Sequence, residues 1–490
     1  MYQSEYQIGP NGAEIFRNTQ QLQYAVGSGM VGISYLVKRD NFLYEAPLSY
    51  YVKTKSWEMS PGFDAADVAF NRPALPGCLA CHSGIMEPDL RAPGSYKEPP
   101  FKELAIGCEK CHGPGSLHVA MESGEIPANK LHSTIVNPKK LTPWLADNIC
   151  MNCHQGLTLR VLQPGKSYYD FRPGMPLNDI MAIFATPVSP DGSSAALSPL
   201  LENFSQMSAS KCYTGTNGRL GCLTCHDPHV QPTAADAVKY YRDKCLSCHT
   251  ESSCGLPLRV RESKTPANDC QSCHMPKQHV TGISHSILTS HRIVKTPDEA
   301  FPTASFNANK LIVSGLIHLN AIPGKPDRVP QLTLFRAFAE LAPTNPAYLK
   351  SYVQELTGLE KTNPTEPDVL SALGWLHLAN GPYHDEDKGF DFLSRAVQLG
   401  STRTSDFLVL AGLLEKRNQQ PQAEKVLLQG ISIAPYDERL YQKLTVLYIS
   451  AHEYNKALDM LRQETTLFPE NSFFRLLLEK AEQAGTQPAP

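Results

Sequence analysis

Six times the chain places two cysteines three positions apart and follows the second at once with a histidine. The sets are Cys78, Cys81 and His82; Cys108, Cys111 and His112; Cys150, Cys153 and His154; Cys222, Cys225 and His226; Cys245, Cys248 and His249; Cys270, Cys273 and His274. Residues so spaced can serve one flat macrocycle: the two thiols add to the two vinyl groups of a haem, and the adjacent imidazole ligates its iron. Zinc is the competing reading, but it wants four ligands per site and gives no reason for a histidine after every second cysteine. One such pentapeptide arises by chance in about 1% of chains this long, so six are not an accident. Six covalently bound haem c groups are therefore expected.

The sixth ligand of each iron must come from elsewhere. Twelve histidines lie between His82 and His291, and six are spent inside the motifs. The other six are His118, His132, His229, His279, His285 and His291, which is the number that complete bis-histidine ligation requires. His229 follows His226 by three residues. A span of at most ~10 Å cannot pass round the macrocycle edge to the opposite face of the same iron. His229 is expected to serve a neighbouring haem, and so is His118. His285 and His291 can return to earlier haems, while His132 and His279 complete the count. Met86, Met207, His318 or a histidine of a second molecule are rival sixth ligands; a Met would raise that haem's potential. Two cysteines remain, Cys212 and Cys254, and in an oxidising compartment they are expected to form a disulfide.

The elements around these residues read as mainly α, with a small antiparallel β meander and an α-solenoid of tetratricopeptide-repeat type. Residues 1–70 form the β segment, with short runs at Met30–Val37, Phe42–Tyr44 and Leu48–Val52 separated by polar turns. Residues 71–300 hold the six motifs, and the haems themselves are expected to be the core of this irregular domain. The longest excursion between motifs, Gln155–Ser210, reads as surface loop. Residues 301–328 form a proline-bearing connector. From 329 to 485 helical periodicity takes over: Ala423 and Pro435 recur as Ala457 and Pro469, and Phe407 and Leu410 as Tyr441 and Leu444, always 34 residues apart. An earlier copy has Leu373, Gly374, Phe392 and Ala396, with a short insertion near Gly381–His384.

Lys plus Arg number 45 against 48 Asp plus Glu, a net charge of −3 with no basic excess to bind nucleic acid. No run of apolar residues is long enough to span a bilayer. Covalent haem is attached outside the cytoplasm, yet Met1–Met30 has no secretory leader pattern. The sequence is read as a mature chain, exported to the periplasm, cell surface or exterior.

The sequence resembles the multihaem c-type cytochromes of the cytochrome c554 and pentahaem nitrite reductase–hydroxylamine oxidoreductase lineage over about residues 70–295. The likeness rests on Cys108–His118 with its Gly-Pro-Gly-Ser, on Cys222–His229, and on Cys270–Pro276 followed by His285 and His291. That lineage holds both electron carriers and reductases. Its pentahaem reductases use a lysine as proximal ligand of the catalytic haem, and no Cys-x-x-Cys-Lys occurs here. The expected function is an electron-transfer cytochrome without a catalytic residue, its repeat domain docking redox protein partners or further copies of itself. The alternative is a reductase of nitrogen or sulfur oxyanions with one open-coordination haem.

Overall fold

The computed structural model describes residues 1–63, 69–127, 134–155, 159–187, 203–279, 287–296, 298–300, 302, 311–326 and 328–486. They form two compact units, Met1–Lys102 with Val353–Pro490, and Glu103–Tyr352. Helices predominate, with small antiparallel sheets.

The first unit opens with a hairpin, β1 (Tyr2–Ile8) and β2 (Glu14–Gln21), turned through Pro-Asn-Gly with Gly12 at φ 77°. A five-stranded sheet follows, from β3 (Tyr24–Val26), β4 (Gly32–Arg39), β5 (Phe42–Glu45), β6 (Leu48–Tyr51) and β7 (Ser56–Met59). The runs expected at residues 30–37, 42–44 and 48–52 are thus β4, β5 and β6, all antiparallel. Leu22, Val37, Ala46 and Phe70 bury its apolar side. Helix α1 (Pro76–His82) starts with a proline, whose missing N–H costs nothing in the first turn. A short hairpin, β8 (Met86–Pro88) and β9 (Tyr96–Phe101), completes this part.

The second unit begins with α2 (Glu109–His112), α3 (Ser116–Glu122) and α4 (Pro143–Met151). A four-stranded sheet then forms in the order β10 (Leu159–Leu162), β11 (Met181–Ala185), β15 (Leu316–His318) and β14 (Leu311–Val313). Two expectations are corrected here. Residues 159–162 and 181–185 of that excursion are strands and not surface loop: the unbroken apolar run Ile180–Phe184 makes β11 a central strand, and these five side chains are essentially inaccessible, while residues 188–202 lie outside the described ones. The proline-bearing stretch is likewise not only a connector, because β14 and β15 complete the sheet and Asn320 ties it to β11 through Ile183 N–H and the Met181 carbonyl. Both were hidden by flanking prolines and by pairing partners more than a hundred residues away.

The remaining helices of this unit are α5 (Asn203–Ser208), α6 (Lys211–Gly215), α7 (Cys222–Cys225), α8 (Ala237–Leu246), α9 (Leu258–Glu262) and α10 (Cys270–His274). β12 (Lys277–His279) pairs with β13 (Ile287–Thr289). Helix α11 (Gln331–Leu341) buries Leu334, Ala337 and Phe338 against Val161, Phe184 and Leu316. The helix at the start of the expected repeat region therefore belongs to the sheet instead.

Helix α12 (Leu349–Thr362) leads to α13 (Pro367–Leu378) and α14 (Glu386–Gln398). Beyond them α15 (Thr404–Lys416), α17 (Glu438–Ser450) and α19 (Ser472–Thr486) start 34 residues apart, as do α16 (Gln420–Ile433) and α18 (Tyr454–Leu467). The expected 34-residue period is the period of the helix pairs. Each pair meets at small residues: Ala423 and Ala457 are buried, and a Cβ on Gly374 would lie 2.7 Å from Leu393. The insertion seen in sequence lengthens the α13–α14 repeat.

Candidate haem-binding sites

Each motif lies on a short helix or at its end. In the second to fifth, the histidine N–H bonds the carbonyl of the first cysteine, at 2.9, 2.8, 2.9 and 2.9 Å. One helical turn thus brings the first thiol, the second thiol and the imidazole to positions i, i+3 and i+4, which share a face. That is the geometric content of the spacing: a single turn aims all three groups at one plane.

The turns themselves are chained within the second unit. The Cys111 thiol is within electrostatic reach of Cys150. Cys150 and Cys222 are hydrogen-bonded through their thiols, which holds the Cys222 thiol up and the Cys150 thiol down. Cys225 lies within electrostatic reach of Cys248, and the Cys245 thiol is hydrogen-bonded with that of Cys270, pushed up to about 11 by partial burial and then by that neighbour. The second, third, fourth, fifth and sixth motifs therefore adjoin in sequence order. Asp147 fastens two of them: on α4 with Cys150, it accepts from the Cys222 backbone N–H at 2.8 Å. A Cβ on Gly221 would fall 2.8 Å from that carboxylate, so glycine is required there.

Several imidazoles come together as expected ligand pairs would. The His112 and His229 rings lie 5.9 Å apart between centroids, 21° from parallel. His226 and His291 lie 6.1 Å apart, at 34°. Two imidazoles bound from opposite faces of one metal, at metal–nitrogen bonds of about 2 Å, put their centroids ~6 Å apart. His229 thus stands opposite the imidazole of an earlier motif, not its own. Partial desolvation and then His154 lower the pKa of His226, while burial and then His226 push His291 down to about 4. Both favour the neutral imidazole that a metal takes.

The rings are also held by one nitrogen. The Nδ1 atoms of His112 and His274 face the carbonyls of Val136 and Val294, each at 2.7 Å. Those of His118, His229 and His291 face Thr134 Oγ1, Asp227 Oδ1 and the Thr289 carbonyl at 3.1, 3.1 and 3.2 Å. His226 Nδ1 is 3.4 Å from the Tyr241 hydroxyl. An outer hydrogen bond at Nδ1 fixes the ring and leaves Nε2 for a metal. Gln206 positions the loop of His291, its Oε1 accepting from His291 N–H at 2.6 Å. These supporting residues were missed in sequence, apart from the legible proximity of Asp227 to His229.

Of the remaining expected ligands, His154 lies within electrostatic reach of His226 and His291. His82, His154 and His249 are exposed, each at the end of its motif turn. His279 lies in β12, while His132 and His285 fall outside the described residues. Of the rival ligands, Met86, Met207 and His318 are all buried; Met86 packs by Ser83 and His318 by Phe184. Cys212 and Cys254 are not bridged; both are thiols, and Cys212 instead neighbours Cys225 and Cys248.

The fit to a bulky apolar group is visible in what these segments lack. From Cys222 to Lys277, through α7, α8, α9 and α10, no described residue is more than partly buried. Helices held by hydrogen bonds alone are marginal at such lengths, so this stretch needs an apolar filler. Leu104, Ile106, Leu117 and Val119 around the second motif and Val230, Leu256 and Leu258 around the fourth and fifth are exposed and suited to line one. The region is not uniform, however. Ile149, Met151, Phe171, Leu177, Ile183 and Phe204 form an ordinary side-chain core next to Cys111 and Cys222, contrary to the expectation that haems alone would supply it. Among the described residues no three His, Cys, Asp or Glu side chains converge to hold a metal ion without a macrocycle.

No helix among the described residues is long and apolar enough to cross a membrane. No curated protein matches the chain. Solved structures similar to it include MamA, 17% identical over 28% of this chain and 80% of that one, with a TM-score of 0.25. The MamA fragment from Desulfovibrio magneticus RS-1 is 17% identical over 32% and 85%, at 0.26. YrrB, described as a TPR protein with an unusual peptide-binding site, is 13% identical over 32% and 78%, at 0.27. A model of the doubled CXXCH motif matches residues 216–253, which contain the fourth and fifth motifs. The chain thus carries, on the turns just described, the paired motif by which multihaem c-type cytochromes bind haem c covalently.

Proposed function

We propose that this chain is an exported hexahaem cytochrome that carries electrons along closely packed, mostly bis-histidine haems, and that its repeat domain docks a redox partner or another copy of itself. The observation that carries the reading is the unbroken succession of motif turns through the second unit, with Cys111 by Cys150, Cys150 on Cys222, Cys225 by Cys248 and Cys245 on Cys270. Macrocycles anchored at thiols this close are forced into mutual contact, which is what electron passage without substrate chemistry requires. In this reading Cys78, Cys81, Cys108, Cys111, Cys150, Cys153, Cys222, Cys225, Cys245, Cys248, Cys270 and Cys273 hold the haems. His229 ligates the iron of His112, and His291 that of His226. The pairing of imidazoles about 6 Å apart supports both assignments. Burial, hydrogen bonds and axial ligand then set each potential.

The haem count is the first test. Denaturing mass spectrometry of the matured protein should give the polypeptide plus six haems. Five or fewer, in a host with complete maturation, would overturn the count and with it the uninterrupted chain.

A further inference from the structure

The first motif belongs to the unit that also contains the repeats, and the other five to the second unit. Within that unit, the turn between α16 and α17 carries Tyr436, and three interactions fix it to the β4–β5 hairpin. Its hydroxyl donates to Asp40 Oδ2 at 3.0 Å. The Arg39 guanidinium lies 3.6 Å from the centre of its ring. The ring also meets Tyr44 edge-on, at 5.3 Å and 85°. Arg39 reaches further into the repeats, its Nη2 donating to the Leu467 carbonyl at 3.3 Å. Asp40 sits at φ 55°, a left-handed turn position that aims the hairpin tip at Tyr436.

The other edge of β5 holds the chain that leads into the first motif. Ala74 N–H donates to the Leu43 carbonyl at 2.8 Å, and Glu45 N–H to the Arg72 carbonyl at 2.9 Å. Tyr44 and Pro73 pair across this bridge, and the Tyr96 hydroxyl donates to the Ala74 carbonyl. Two residues later α1 begins, with Cys78, Cys81 and His82. Glu45 and Arg72, paired at 3.3 Å, are both within electrostatic reach of Cys78. One four-residue strand thus has the repeat domain on its tip and the first motif on its edge.

We propose that the repeat domain is an internal clamp for the first haem: Tyr436 and Arg39 lock the β4–β5 hairpin, and β5 in turn positions residues 72–82 and the Glu45–Arg72 charge pair beside Cys78. This rests on the reading that Cys78, Cys81 and His82 hold a haem. It gives the repeats a partner inside their own chain, in addition to any outside it. Arg39, Tyr44 and Tyr436 are positioning residues for that site, acting on it through β5 and residues 72–74.

The test compares full-length, haem-loaded wild type with Tyr436→Ala, Tyr436→Phe and Arg39→Ala. Hydrogen exchange of peptides covering residues 72–82 should quicken about tenfold in Tyr436→Ala, for loss of a cation–π contact and a hydrogen bond. Tyr436→Phe keeps the ring and should fall between. In a redox titration one haem should shift its midpoint potential while the others keep theirs, a response that mere loosening of the repeats would not give. Unchanged exchange at 72–82 with unchanged potentials, in a variant whose own 436–441 peptides exchange faster, would overturn the clamp. Should Tyr436→Ala fail to fold, Arg39→Ala carries the same comparison. Intact mass separates the two claims: wild type lacking a haem at Cys78 and Cys81 refutes the underlying reading, whereas a full count in every variant leaves the exchange and potentials to decide the clamp.

Discussion

Replacing His229 with alanine should open one iron and leave every haem attached. His112 is tied through Nδ1 to the Val136 carbonyl at 2.7 Å, which under the proposed ligation leaves its Nε2 for one face of the haem that Cys108 and Cys111 would hold. The His229 ring stands 5.9 Å from it, where the opposite face of that iron would be. In the proposed hexahaem, bis-histidine arrangement, removing that ring would remove one of twelve ligands and no thiol, so about one-sixth of the ferric haem should turn from low to high spin. The space left is the size of an imidazole and keeps its anchor, Asp227, whose Oδ1 was 3.1 Å from His229 Nδ1. Free imidazole added to the variant should therefore restore the low-spin spectrum, and a second change, Asp227→Ala, should weaken that rescue about 10–100-fold. Optical titration with imidazole, alongside intact mass, measures both. A variant that stays wholly low-spin with a full haem count would refute the pairing of His229 with His112. Loss of a haem would refute the separation of attachment from ligation.

Other consequences concern the repeats. Glu464 is buried with its carboxyl accepting from Thr445 Oγ1 at 2.7 Å, and burial raises its pKa to about 7. A carboxyl that holds its proton more tightly when folded is least costly below its unfolded pKa of about 4.3, and its stability contribution is lost as pH rises through 7. Glu464→Gln should flatten that fall, gaining up to about 3 kcal/mol over wild type at pH 8 and nothing at pH 4. Denaturation midpoints that run parallel with pH in the two proteins would contradict this. Gly374→Ala should destabilise the α13–α14 pair by about 1–3 kcal/mol, because the new Cβ would press on Leu393, with haem mass unaltered.

What the sequence made legible follows its local regularities. The motif turns need only i, i+3 and i+4 contacts, so their geometry is written in five consecutive residues. The 34-residue repeat is equally local, each helix pair packing mainly on its neighbours through Ala423, Ala457 and their equivalents. The β4–β6 strands were marked by alternating Tyr, Ile and Val runs. Pairings over long separations were illegible: β11 with β15, Asp147 with Cys222, and Tyr436 with Asp40. So was the division of the second unit into a side-chain core near Phe171 and Phe204 and a coreless stretch from Cys222. Histidine counting gave the ligand candidates, and three-residue reach ruled His229 off its own haem. Only the assembled chain brings it to His112.

The central claim, a chain of saturated irons that passes electrons without chemistry, meets its most direct test in spin-quantified electron paramagnetic resonance of the oxidised wild-type protein. The account predicts low-spin ferric haem throughout, six per chain, with no high-spin fraction. A high-spin signal amounting to one haem per chain would contradict it and move the protein to the oxyanion-reductase reading.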